Sequence, residues 1–256
     1  MTESFDLNRY IKHHIMDSYE WNLPFMHPIQ LPEMLSLHGV MLIIASMIMF
    51  LLFVVLYDKK KRVPTGITNL LEVFVLFIRD EIAVNALGKE DGRKMTPLFC
   101  TFFFFILILN LMGLVPIFST ATANVNVTAG LALITLSFMI FGAIYKNGIT
   151  GFLKAFTPSG VPVPVLIILM PIEIVGLFIK TFALTIRLFA NMLAGHIVIF
   201  SLLGMVVLIG VFALPAVLLA LLINLLEIFI AFLQAYIFTL LSAMFIGQMY
   251  HPEHER

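Results

Sequence analysis

Between Ala155 and Tyr250 the only formally charged residues are Glu173, Lys180, Arg187 and Glu227, and the only histidine is His196. Almost everything around them is Leu, Ile, Val, Phe, Met, Ala or Gly. A charge held inside a membrane costs several kcal/mol, from roughly 2.5 upward, so ionisable groups there are functional candidates by default. Arg187 is the extreme case, because a guanidinium keeps its proton under ordinary conditions. His196 differs. An imidazole titrates near neutral pH, and together with a carboxylate such as Glu227 it suits the relay of protons.

Spacing sorts these residues onto faces. An α-helix turns by about 100° per residue, so steps of seven return to within roughly 20° of one face. Glu173, Lys180 and Arg187 are two such steps, and Asn191, four beyond Arg187, extends the stripe. His196 lies nine beyond Arg187, near the opposite face. Farther along, Glu227 and Gln234 are seven apart, with Asn224 three before Glu227. One helix thus offers an arginine-bearing stripe with a histidine on its far side, and a second offers a Glu/Gln stripe. Ordinary structural roles stay open at this point. Lys180 could snorkel to an interface, and Glu173 could pair with it. Arg187 could pair with Glu227, and Asn191 and Gln234 could be interhelical hydrogen bonders.

Composition says what carries these residues. Of 256 residues 61% are hydrophobic and 12% charged, against roughly 25% charged in soluble domains. No Asp, Glu, Lys or Arg occurs from Met95 to Tyr145. An all-α integral membrane protein with several spans is expected: one polytopic domain over 34–256, preceded by a polar external segment, 1–33, that holds Trp21. Spans are expected at about 36–57, 97–118 and 129–145. Glu72, Arg79, Asp80 and Glu81 interrupt the apolar run 67–87, which reads as an amphipathic helix on the membrane surface or along other helices. KEDGRK (89–94) reads as a polar loop, and STATANVNVT (119–128) as the short polar connection of a helical hairpin. After breaks at 146–154 and 157–164, two long helices are expected at about 164–204 and 211–249.

Orientation follows from lysine and arginine. KKKR (59–62), Lys89, Arg93, Lys94, Lys146 and Lys154 fall on one side, which the positive-inside rule makes cytoplasmic. The N-terminus is then external and the C-terminus cytoplasmic. MTESFDLNRYIKHH is neither a signal peptide nor an Arg-rich transit sequence. A bacterial inner membrane is therefore expected, with an organellar inner membrane as the alternative. A formal net charge of zero implies no nucleic-acid partner, and the single Cys100 cannot form an internal disulfide. No GxxxxGK[ST], HExxH or GxSxG motif supports nucleotide binding or hydrolysis, and no cofactor or metal is expected.

Several stretches resemble one family. RLFANMLAGH (187–196) is similar to the most characteristic segment of subunit a of F-type ATP synthases. LLEIFIAFLQAYIFTLL (225–241) resembles that family's last helix, and PIEIVGLFIK (171–180) the start of its long helix. NLMGLVP (110–116) with ANVNVT (123–128) resembles the turn between its central spans. The match covers roughly 35–250, in order and with the right spacing. It implies a membrane stator beside a rotating ring of c subunits, held by peripheral-stalk b subunits. Its last two helices would lie strongly tilted against the ring, and two offset aqueous half-channels would lead to the ring from opposite sides. Arg187 matches the family's invariant arginine. His196, Glu227, Asn191 and Gln234 match the outer half-channel and Glu173 the inner. The implied role is a transport subunit, binding no nucleotide itself, that couples a flow of H⁺ or Na⁺ to ring rotation and ATP synthesis.

Two positions depart from a common pattern. Many bacterial members carry Glu after the AG pair and His in the later helix, whereas here His196 and Glu227 are exchanged, an order also familiar in mitochondria. Gly113 stands where some members carry Asp, so any role of that Asp does not transfer. Other classes make different demands. A secondary transporter predicts internal inverted symmetry, which the sequence lacks. An intramembrane enzyme needs a nucleophile–base pair or a metal cluster, and a purely structural scaffold would not need Arg187.

Overall fold

The computed structural model describes residues 18–21, 29–32, 36–55, 66–115, 117–157, 162–210 and 214–251. Most of the expected external segment 1–33 lies outside the described residues, as do the KKKR cluster and part of the break at 157–164. The protein is an all-α integral membrane protein. Among the described residues five helical stretches are long and apolar enough to cross a membrane: Leu37–Val55, Ile67–Gly113, Val125–Lys154, Pro164–Val206 and Leu214–Tyr250. The described N-terminal residues add only a small antiparallel ribbon, β1 (Glu20–Trp21) with β2 (Ile29–Gln30).

Seven α-helical segments follow. Helix α1 (Leu37–Phe50) starts where the Ser36 hydroxyl accepts from the Gly39 amide, an N-cap that satisfies one of the first turn's free donors. It widens into a π-helical turn at Leu51–Val55. Helix α2 (Ile67–Phe77) widens likewise at Ile78–Val84 and leads into α3 (Asn85–Gly113). After a 3₁₀ turn at Ala121–Ala123 come α4 (Val125–Ser137), a π turn at Phe138–Gly142, and α5 (Ala143–Lys154). The long helices are α6 (Val163–Ile209) and α7 (Leu214–Tyr250).

Two local expectations are corrected. KEDGRK is not a loop: the chain reverses at the single residue Gly88 (φ 80°, ψ 172°) and residues 89–94 are already the first turns of the following helix. Polar residues do not break a helix, and here the positive φ that glycine tolerates does the work of a loop. The break at 146–154 contracts in the same way to Gly148 (φ 69°), with helix on both sides. The 119–128 connection is present, and Ser119, Thr120, Thr122 and Thr128 in it are buried while Asn126 is exposed.

The described residues group into two compact units, each built from three segments. One unit takes in Met1–Val55, Phe104–Val127 and Arg187–Ala235. Its core packs Leu37, Met41 and Ala45 of α1 on Ile108, Leu109 and Met112 of α3 and on Ala121. Trp21 Nε1 donates to the Ile117 carbonyl at 3.0 Å, tying the ribbon to the connection. The other unit takes in Leu56–Phe103, Thr128–Ile186 and Tyr236–Arg256. There Phe102 meets Phe238 edge-on at 5.6 Å, and the hydroxyls of Thr135 and Ser242 bond at 3.0 Å. Lys146 donates to Asp91, and His251 lies 3.1 Å from the same carboxylate, so 91, 146 and 251 meet at one end of this unit.

Candidate functional site

Arg187 begins the part of α6 that belongs to the first unit, and it faces outward. Ala190, Ala194, Ile197 and Ser201, at helical spacing from it, are exposed on the same face. Three of these four, Ala190, Ala194 and Ser201, are small beside the long cation. Among the described residues no acid lies within ion-pair distance of Arg187, and a pair with Glu227 is not formed.

His196 occupies the opposite, buried face of α6, with 4% of its surface exposed. Its Nδ1 lies 2.9 Å from the Met192 carbonyl oxygen one turn back. Its Nε2 lies 2.8 Å from the Gly113 carbonyl oxygen at the end of α3 and 2.9 Å from Thr120 Oγ1. Glu227 on α7 is 5% exposed, and its Oε1 stands 3.8 Å from His196 Nδ1. Across the two long helices, then, a carboxylate and an imidazole share one buried site.

Gly195 makes that closeness possible. A Cβ there would overlap Glu227 Oε1 and come within 2.8 Å of its Cδ. The same logic operates at Gly113, where a Cβ would sit 2.9 Å from Thr120 Cγ2 and 3.4 Å from Met192 Cε. A side chain at 113 would therefore press on the connection that bears Thr120.

The same unit buries several polar atoms without hydrogen-bond partners. Among the described residues, both Glu227 oxygens, Asn191 Nδ2, Gln234 Nε2, Asn110 Oδ1 and Thr122 Oγ1 are buried with no hydrogen bond. Asn110 Nδ2 donates only weakly, at 3.5 Å, to the Ala231 carbonyl. Proteins rarely bury polar groups unsatisfied, and such clusters are where water resides. Ala220, Glu227, Ala231 and Gln234 form the buried side of α7, while Leu218, Leu222, Leu225 and Phe229 are exposed.

Glu173 and Lys180 belong to the other unit. Glu173 is half-buried and forms no ion pair with Lys180. Lys180 Nζ instead donates to Gln248 Oε1 at 2.8 Å and stands 5.4 Å from the Phe245 ring centroid. Sequence reasoning passed over Thr120, Asn110 and Gly195 as individual groups. The available signal was the density of Thr and Asn in 119–128, read only as a connection.

The family profile described as ATP synthase A chain matches residues 39–247. The chain belongs to this family. Among its relatives, ATP synthase subunit a of Anaeromyxobacter dehalogenans (strain 2CP-C) is 48% identical over 82% of this chain and 56% of its own length. Its namesake in Chloroherpeton thalassium is 46% identical over 94% of this chain and 77% of its own length. In Myxococcus xanthus the corresponding protein is 49% identical over 77% of this chain and 67% of its own length. The chain thus spans about half the length of the Anaeromyxobacter relatives it matches.

Proposed function

We propose that this chain is the ion-translocating stator subunit of the Fo sector of a rotary ATP synthase. Arg187 faces the c-ring from the outward side of α6, and peripheral-stalk b subunits hold the stator still. A ring carboxylate must cross lipid neutral, because a bare charge there is costly. A fixed guanidinium favours the ionised carboxylate at one place only, and it repels a cation that would otherwise pass directly from one access path to the other. Lysine would serve less well, since a buried ammonium can lose its proton and lacks the planar fork.

His196, Glu227, Asn191 and Gln234 line the outer access path in this reading, and Glu173 the inner one. Net ion flow then requires the ring to turn, which drives ATP synthesis in a soluble head or pumping in reverse. The observation that carries the reading is the division of α6 into two faces, with an outward arginine free of any acid among the described residues and a buried His196–Glu227 pair behind it. The orphaned buried polar atoms of Glu227, Asn191 and Gln234 support a wetted path.

The test is Arg187→Ala in membrane vesicles with the whole synthase. Ion-driven ATP synthesis is expected to be abolished, passive leak to rise, and Arg187→Lys to be severely impaired. Near-normal synthesis by Arg187→Ala at wild-type assembly would overturn the proposal.

A further inference from the structure

We infer that Thr120 is a positioning residue for His196: its hydroxyl allows the buried ring to give up and regain the proton on Nε2. The inference rests on the reading above, in which His196 and Glu227 carry protons. It starts from a count of donors around the ring. Met192 O at 2.9 Å from Nδ1 and Gly113 O at 2.8 Å from Nε2 are carbonyl oxygens, which only accept. Both contacts are hydrogen bonds when the ring is doubly protonated. A neutral ring must leave one nitrogen bare against a carbonyl oxygen.

Only at Nε2 is a remedy at hand. Thr120 Oγ1, 2.9 Å away, is both donor and acceptor. When Nε2 is bare, the Thr120 hydroxyl donates to it. When Nε2 carries a proton, Nε2–H donates to Gly113 O, and the hydroxyl turns its hydrogen toward the same carbonyl, 3.5 Å from Oγ1. Thr120 keeps one donated hydrogen bond in each state, exchanging Gly113 O for Nε2 as its acceptor. Its hydroxyl rotates, and the proton leaving Nε2 passes to water of the access path.

Thr120 is fully buried, so its hydroxyl is held beside Nε2 whether or not a water of the access path stands there. The groups that face the ring are few. α7 contributes the carboxylate of Glu227, 3.8 Å from Nδ1. The α3–α4 connection contributes Gly113 O and Thr120 and no charge. On α6 itself the neighbours are Met192 O and the edge-on Phe200 ring, with Arg187 on the far face. The titratable group nearest the connection from α1 is His38, whose Nδ1 is 2.9 Å from Asn124 Nδ2.

The experiment measures ATP-driven proton pumping in vesicles holding the whole synthase, per assembled complex. Thr120→Val keeps the shape and removes the hydroxyl, and Thr120→Ser keeps the hydroxyl. Pumping by Thr120→Val is expected to fall about fivefold, the factor carried by one net hydrogen bond to a neutral ring nitrogen, and Thr120→Ser is expected to restore most of it. Should Thr120→Val not assemble, Thr120→Ala, which removes the hydroxyl and adds no volume, takes its place with the same expectation. Wild-type pumping without the hydroxyl overturns the inference. So does a loss in Thr120→Ser as large as in Thr120→Val, because the role is then packing. A Glu227→Gln arm separates the two levels: normal pumping there overturns the underlying reading, whereas its loss beside an unaffected Thr120→Val overturns this inference alone.

Discussion

Substituting alanine for Gly195 should disable the His196–Glu227 pair without touching either residue. The added Cβ overlaps Glu227 Oε1 and lies 2.8 Å from Cδ and 3.3 Å from Cγ. Turning the carboxylate about its last bond therefore does not clear it, and the side chain must swing at Cγ. If Oε1 moves from 3.8 Å to about 6 Å from His196 Nδ1, the attraction drops from about 4.4 to about 2.8 kcal/mol at an effective dielectric of about 20. That difference of about 1.6 kcal/mol corresponds to roughly 15-fold. If the side chain holds its place instead, the helices must part, and overpacking costs about 1–3 kcal/mol. Either way ATP-driven proton pumping per assembled complex should fall by about an order of magnitude. A second variant identifies the cause: Gly195→Ala with Glu227→Asp, one methylene shorter, should pump better than Gly195→Ala alone. Wild-type pumping by Gly195→Ala, at normal assembly, refutes the idea that this close contact holds the carboxylate at the ring.

Two further outcomes are expected. A cysteine at Glu173, in a Cys100→Ala background, should react with a small water-soluble methanethiosulfonate added from the cytoplasmic side, and labelling from the outer side alone would reverse the assignment of the inner path. For the pair itself, His196→Glu and Glu227→His should each impair pumping, because each puts two like groups together, and interacting groups titrate as a unit. The double exchange should recover part of the activity. Recovery should stop short of complete, since a carboxylate at 196 meets the acceptor oxygens of Gly113 and Met192 that now suit an imidazole. A double variant no better than the worse single would mean that the two positions are not interchangeable.

The sequence revealed faces better than partners, and the reason is physical. Helical periodicity is local, so the spacing of Arg187 and His196 already set them on opposite sides of α6, and the spacing of Glu227 and Gln234 set them together on α7. Partners are tertiary facts. Lys180 could have paired with Glu173 one stripe-step away, yet its ammonium reaches Gln248, 68 residues on. Boundaries were misread wherever one glycine replaced a loop, because Gly88 turns the chain in a single residue and leaves a charged segment helical. The 119–128 connection was legible as a polar turn but not for what it touches. Thr and Asn mark turns by hydrogen-bonding backbone locally, so their abundance reads as a connection and names no distant partner. Here Thr120 spends its hydroxyl on His196, 76 residues away, and the buried connection becomes one wall of the site. Gly195 carries no side chain to draw notice, and its role lies in the space it leaves for Glu227. Residue types in a chain announce charge and shape, whereas closeness between helices is announced by what is missing, and that is legible only once the opposite wall is known.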